Sequence, residues 1–285
     1  MRKFILSLVI LLYSLFSFSQ NTLDVLFVKY LADTESYKEC IFEINKAADI
    51  SSYRQTLRDS LLYYKACSQY SLKLLDSSSE TFLKLSDSSS FYSEASLFAT
   101  YNLIHIGKYK KAIDLCDELS KSSKVNLSLL NLEAAGCSLL KRDYGDFEMY
   151  MSKVDQDRYY LKAQSSLLYS FSKELKEHKK KSPLLAAGLS TLLPGLGKIY
   201  AGKTGEGLAS LFTVGGLGLV SWEQYRKNGI NDYKTIIAGT ITSLFYLANI
   251  YGSYFSVVLT ENEFNNAYKN KILFNIHIPL RTFYK

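Results

Sequence analysis

Eight consecutive residues, Gly197-Lys198-Ile199-Tyr200-Ala201-Gly202-Lys203-Thr204, satisfy the pattern Gly-x-x-x-x-Gly-Lys-Thr. In a strand–loop–helix setting that spacing lets backbone amides and the lysine amine cradle nucleotide phosphates. The surroundings argue against it. Pro194-Gly195 precedes the run where a β-strand is needed, and Asp232 is the only aspartate after residue 182, in a polar loop. The sequence therefore predicts no nucleotide at this site.

Other chemistry-bearing residues are scattered. Three histidines (His105, His178, His277) and four cysteines (Cys40, Cys67, Cys116, Cys137) show no metal-ligand spacing, and no Cys-x-x-Cys occurs. Asp114, Asp117 and Glu118 cluster at helical spacing, as a solvated face does. Gly-x-Ser-x-Gly and His-Glu-x-x-His are absent. The expectation is a non-enzymatic protein with no metal and no cofactor.

The elements that carry these residues fall into two compositions. All three prolines and twelve of the fifteen glycines lie after residue 182, whereas all four cysteines lie before it. A stretch nearly free of Pro and Gly can run as continuous helix, and a Gly-rich apolar stretch suits closely packed membrane helices. Charge divides in the same way. Residues 20–172 carry 18 basic and 20 acidic side chains, while residues 173–181 add five lysines against Glu174 and Glu177. The net charge of +7 thus sits at the N-terminus and beside the apolar C-terminal segments, as membrane-flanking charge does. A nucleic-acid partner would need a basic face on the folded domain, so none is expected.

Met1-Arg2-Lys3, the apolar run 4–16 and Ser17-Phe18-Ser19 before Gln20 have the layout of a secretory signal peptide. Residues 1–19 are read as that signal, with an uncleaved anchor as the alternative. In an exported domain four thiols can pair. Their helical, apolar contexts favour buried free thiols, and disulfides stay open.

Tyr37, Tyr109 and Tyr144 begin a common pattern. Cys40, Ala112 and Phe147 follow at +3, Ile44, Cys116 and Met151 at +7, and Ala47, Leu119 and Val154 at +10. These offsets share one helix face. The tyrosines are 72 and 35 residues apart, which leaves room for one degenerate unit between the first two, near residues 72–85, where Ser77-Ser78-Ser79 breaks the pattern. Two helices per period of about 34 residues is the tetratricopeptide length. Gly107-Lys108-Tyr109-Lys110-Lys111-Ala112 resembles that family's inter-helix turn, in which Gly107, Tyr109 and Ala112 let the second helix pack on the first. Residues 93–121 make the best unit; Asp143-Tyr144 lacks the Gly. The resemblance implies an all-α, tetratricopeptide-like array over residues 20–175, closed by a helix over 158–180. It also implies a concave surface that binds a protein partner.

After a basic linker at 176–182 come apolar runs at 184–193, 207–222 and 235–259. The third is long enough to cross a bilayer of about 30 Å. The first is read as a half-helix or re-entrant piece over 184–200, and the spans as 207–223 and 235–259. Trp222, Tyr225 and Tyr233 flank the intervening loop, where interfacial aromatics belong. Gly215, Gly216 and Gly218 are expected to admit close helix contacts. Ser182-Pro183, then Leu193-Pro194-Gly195-Leu196-Gly197-Lys198-Ile199-Tyr200-Ala201-Gly202, and later Asn249-Ile250-Tyr251-Gly252 resemble bacterial membrane proteins similar to the two-transmembrane-helix hairpin family. Lys198 stands where that family commonly has Gln. The resemblance explains Pro194, Gly195, Gly197, Tyr200, Gly202, Asn249, Tyr251 and Gly252 as packing residues of a membrane domain over 183–262, and it implies no reaction. The signal-peptide ending, with low Pro and high Tyr and Lys, resembles envelope proteins of the Bacteroidota. Residues 263–285 read as a polar tail. The resulting expectation is an inner-membrane protein with its repeats in the periplasm, bound to a protein partner and the bilayer. A membrane function of the hairpin itself (lipid contact, assembly or solute passage) is the alternative. The side on which the C-terminus lies stays open.

Overall fold

The computed structural model describes residues 24–46, 53–155 and 157–284. The signal-peptide reading and Ala47 lie outside them. The described residues hold thirteen α-helices and no strand. They divide into two compact units, one of residues up to Ser172 together with those from Ile272 onward, the other Lys173–Lys271.

In the first unit eight helices run in chain order: α1 (Val25–Asp33), α2 (Tyr37–Lys46), α3 (Gln55–Ser71), α4 (Leu75–Phe82), α5 (Tyr92–His105), α6 (Tyr109–Leu119), α7 (Leu127–Leu140) and α8 (Tyr144–Met151). From α2 to α8 each packs on its neighbour, and the alternate helices α1–α3 and α5–α7 also touch. A ninth, α9 (Tyr159–Glu177), begins in this unit. Side-chain caps fix several starts. Asp24 accepts from the Leu26 amide, Asn126 from Leu129, and Asp143 from Asp146, each satisfying one of the orphan amides of a helix N-terminus.

One turn recurs four times. Glu35 (φ 60°), Lys73 (64°), Gly107 (81°) and Arg142 (63°) are left-handed, and each stands two residues before the start of α2, α4, α6 or α8. The following amide reaches back five residues in every case: Ser36 to Leu31 at 2.8 Å, and Leu74 to Gln69, Lys108 to Leu103 and Asp143 to Ser138 at 2.9 Å. This is the Schellman closure of a helix C-terminus. Only Gly107 adopts it without a Cβ penalty; each other residue carries about 1 kcal/mol of strain.

The expected face is buried. Cys40, Ala112 and Phe147 are 0% exposed, and Ile44, Cys116, Met151, Leu119 and Val154 are also buried. The segment expected to hold a degenerate unit is helix α4. Leu75, Ser78, Phe82 and Leu85 occupy its 0, +3, +7 and +10 positions, all buried. Its serines lie inside a helix rather than breaking one. Ser78 Oγ donates to the Ala66 carbonyl at 2.8 Å and Ser79 Oγ to that of Ala99 at 3.1 Å. A hydroxyl satisfied this way lets α4 sit close against α3 and α5. All four cysteines are free thiols; burial pushes Cys67 and Cys137 up to about 12.

The second unit takes the end of α9, then α10 (Pro183–Leu192), α11 (Leu196–Ala201), α12 (Thr204–Asn228) and most of α13 (Tyr233–Phe283). Ser182 caps α10 through the Leu185 amide, with Pro183 at the first turn, where a missing N–H costs nothing. The boundary falls at residue 172 rather than in the 176–182 linker. α9 runs unbroken through Glu177, and its end is tied to α13 by Glu174–Tyr268 and by His178 Nε2–Glu261 at 2.8 Å. Among the described helices α13 is the one long and apolar enough to cross a membrane, with only 6% of its most apolar stretch buried. α12 falls short of that measure because five glycines and Glu206 dilute it.

One expectation is corrected. Residues 263–283 are not a polar tail. They continue α13, and Ile272, Leu273, Ile276 and Leu280 are buried in the first unit. The one-helix-face spacing of these four apolar residues is masked in the sequence by the lysines and asparagines between and before them. Gly215, Gly216 and Gly218 meet no other part of the chain among the described residues, since a Cβ at any of them would find nothing within 4 Å.

Candidate functional site

In the first unit, α3, α5, α7 and the start of α9 present one common face, and the chain's own residues 272–284 lie on it. Gly136 of α7 provides the room: a Cβ there would stand 2.5 Å from the Ile276 γ2 methyl and 3.6 Å from that of Ile272. Tyr101 of α5 stacks on His277, centroids 4.5 Å apart and planes at 15°, while Tyr70 of α3 shares a 2.5 Å hydrogen bond with its Nε2. Ser93 of α5 and Tyr284 pair hydroxyls at 2.5 Å, and Tyr160 of α9 meets Phe283 at 5.6 Å. Four helices thus read one amphipathic helix through an apolar seam flanked by ring and hydroxyl contacts.

Two titratable groups sit here. Burial, then the positive charges of Arg281, Lys73 and His105, lower His277 to about 4, so its imidazole is neutral at pH 7 and suits the stack. Glu133, one turn from Gly136 on α7, is 1% exposed and neither carboxyl oxygen has a hydrogen-bond partner. Burial raises it well above the usual carboxylate range, because ionising an unpaired buried acid costs far more than keeping its proton.

The residues expected to pack the repeats occupy helix starts, a buried face and a turn. Ala112 is fully buried, Tyr37, Tyr109 and Tyr144 are half-buried at helix starts, and Gly107 supplies its turn. The tyrosines and Ala112 belong to the even-numbered helices, and Gly107 to the turn before α6.

In the second unit the two halves of the Pro-Gly pattern meet. Pro194 follows the end of α10, and Gly195 (φ 88°) turns the chain into α11 so tightly that a Cβ would stand 2.0 Å from the Gly207 carbonyl oxygen. A Cβ at Gly197 would stand equally close to that of Ala186. The Gly197 amide donates to Ser190 Oγ at 3.0 Å, and Ser190 pairs with Ser253 of α13 at 2.7 Å. Tyr200 packs on Ala186, Ala201 and Val257, and its hydroxyl accepts the Ser182 amide at 3.2 Å. Gly202 (φ 97°) closes α11, and the Lys203 amide reaches the Lys198 carbonyl at 2.9 Å. The amides that a phosphate cradle would need are spent on this turn, and Lys203 pairs with Glu206 at 3.6 Å. Gly252 lies under the Lys198 side chain, whose Cε would be 3.6 Å from a Cβ there. Asn249 faces the same place, whereas Tyr251 is 68% exposed and turned away.

Sequence reasoning singled out neither Tyr70, Gly136 and His277 of the groove nor Lys198 as a site residue. The signal for the first set lay in the apolar positions 272, 273, 276 and 280; for Lys198 it lay in the departure from Gln. Comparison with protein-family profiles, curated proteins and solved structures gave no match.

Proposed function

We propose that the chain is a non-enzymatic envelope protein in which a tetratricopeptide-like array, exported to the periplasm, holds a protein partner, while α12 and α13 anchor it in the inner membrane as a hairpin. The carrying observation is the composition of the first unit. Residues 24–172 and 272–284 fold together, so they lie on one side of any membrane. A chain that leaves a side and returns crosses an even number of times. α13 supplies one crossing, and α12 is the element left to supply the other. Its 25 residues span about 37 Å at 1.5 Å each. Both helices expose large apolar side chains, with Phe212, Leu219, Leu244 and Leu247 all above 60% exposed, more than water tolerates in a contiguous face.

The four recurring turns and the matching buried offsets support the repeat reading. The groove itself is filled by the chain's own residues 272–284, so it supports the reading only by showing that these helices hold an amphipathic segment. The array's other surfaces carry partners without displacing it.

Labelling with a membrane-impermeant maleimide tests the topology in a chain whose native cysteines are replaced. Cysteines at Lys153 and Phe274, both exposed, label in intact inner-membrane-exposed cells, and one at Asn231 in the α12–α13 loop labels only after permeabilisation. Label at Asn231 without permeabilisation refutes the hairpin. Crosslinking from the array, followed by mass spectrometry, tests the partner: a scaffold gives one dominant envelope protein. The second reading, an activity of the hairpin itself, is favoured by the groove beside Lys198.

A further inference from the structure

The second unit has an open groove between α11, α12 and α13, lined by Lys198, Ser210, Thr213, Val214, Phe245 and Asn249, with Glu206 at its rim. Two polar groups in it lack what their chemistry requires. Asn249 is 5% exposed, and neither its amide nitrogen nor its oxygen has a hydrogen-bond partner. A buried primary amide left so is costly and calls for an explanation. Lys198 donates to Ser210 Oγ at 2.8 Å and has no carboxylate within ion-pair distance. Glu206 is engaged with Lys203 instead. Lys198 and Asn249 are neighbours, because the lysine side chain lies over Gly252, one turn from Asn249 on the same helix. A charged group inside a membrane-facing helix pair marks a functional site and needs a partner.

We infer that this groove binds the phosphodiester of an anionic phospholipid. The inference rests on the reading of α12 and α13 as membrane helices. A phosphate oxygen accepts from the Lys198 amine and the Asn249 amide together, pairing the cation and satisfying the amide nitrogen. A glycerol hydroxyl donates to the Asn249 oxygen. The apolar wall of Val214, Phe245 and Ala248 continues into the exposed faces of both helices, where acyl chains lie. Ser210 sits about 9 Å along α12 from Thr204. The Lys198 and Ser210 side of the site therefore lies in the half of α12 nearer Thr204, the end toward which a headgroup is drawn.

The test uses the full chain reconstituted in phosphatidylcholine nanodiscs with and without phosphatidylglycerol, read by lipid retained in native mass spectrometry and by the thermal midpoint of Trp222 fluorescence. Phosphatidylglycerol is retained selectively and raises the midpoint. Lys198→Met, which keeps the aliphatic stem, lowers retention at least about tenfold, the loss of one charge-assisted contact. Asn249→Leu does likewise, and Lys203→Met does not. Equal retention by Lys198→Met and the unaltered chain overturns the proposal, as does equal protection by inorganic phosphate in phosphatidylcholine alone, which would make the site one for the free anion. If the chain fails to insert, the membrane reading itself falls. Insertion without lipid selectivity removes only this inference. Should Asn249→Leu not fold, the Lys198→Met arm decides.

Discussion

Replacing Ile276 by Asp should release residues 272–284 from the rest of the first unit. Ile276 is 1% exposed, so its side chain contributes about 2–3 kcal/mol to docking. The introduced carboxylate lands against Gly136, one turn from the buried Glu133, and costs about another 1–3 kcal/mol. A total near 4 kcal/mol is about three decades in the ratio of docked to released segment. Trypsin reports that ratio at Arg281, which lies within the docked helix. When opening is fast relative to cleavage, the rate follows the open population. Cutting at Arg281 should therefore rise at least about a hundredfold, with the array itself still resistant. Phe274→Asp is the control: Phe274 is 65% exposed on the same segment, and its rate should stay within about twofold of the parent. Equal cleavage of the Ile276→Asp and parent chains would refute a docked segment held by this seam.

Acid should act in the same direction. His277 has a folded value near 4, below its ordinary one of about 6.5, so docking is fullest above pH 6.5, weakens as pH falls toward 4 and levels off below. At pH 5 the roughly one and a half units between 6.5 and 5 give about 2 kcal/mol, discounted to about 1 for the ring's remaining solvent access. Cleavage at Arg281, normalised to a His277→Gln chain, should rise about fivefold between pH 7.5 and 5, and a flat ratio would count against a neutral docked imidazole. At the recurring turn, Gly107→Ala should lower stability by about 1 kcal/mol and Lys73→Gly should raise it by a few tenths to 1 kcal/mol, both read by chemical denaturation. Opposite signs would mean that the shared turn does not set local stability. Gly197→Ala places a Cβ 2.0 Å from the Ala186 carbonyl oxygen, a backbone clash worth at least about 3 kcal/mol. The second unit should lose its thermal transition while the first unit's remains; an unchanged transition would show that α10 and α11 have slack.

The all-helical architecture was legible because periodicity with few helix breakers speaks directly through burial. The buried offsets after Tyr37, Tyr109 and Tyr144 were readable for that reason. The unit at α4 was harder to read because Leu75 replaces the tyrosine and Ser78 the small apolar residue, although the backbone there repeats the same turn. Lys73 and Arg142 take a conformation that only Gly advertises in a sequence, and nothing in their chemistry announces it. The docked segment was missed for another reason. Ile272, Leu273, Ile276 and Leu280 follow the lysines and asparagines of 265–271, which lowered the apparent hydrophobicity of the whole end. Their groove is also made of residues about 200 positions away, as the pairs Tyr70–His277 and Ser93–Tyr284 show. The Pro-Gly turn was legible as a pattern, but its two halves had no visible reason to meet until Ser190–Ser253 and the Lys198–Gly252 approach joined them.

Those long separations impose an order in time. The groove is complete once Ser172 has been made, but its occupant begins at Ile272, a hundred residues later. At about 5–20 residues per second, the apolar face beside Gly136 stays uncovered for about 5–20 s during synthesis. Over that interval Tyr70, Tyr101 and Gly136 meet whatever the compartment offers before their own helix arrives. A binding protein present then competes against an absent rival, whereas the same protein added to finished molecules competes against a tethered one. Association that depends on co-expression, and fails on mixing purified components, is the behaviour such timing would produce.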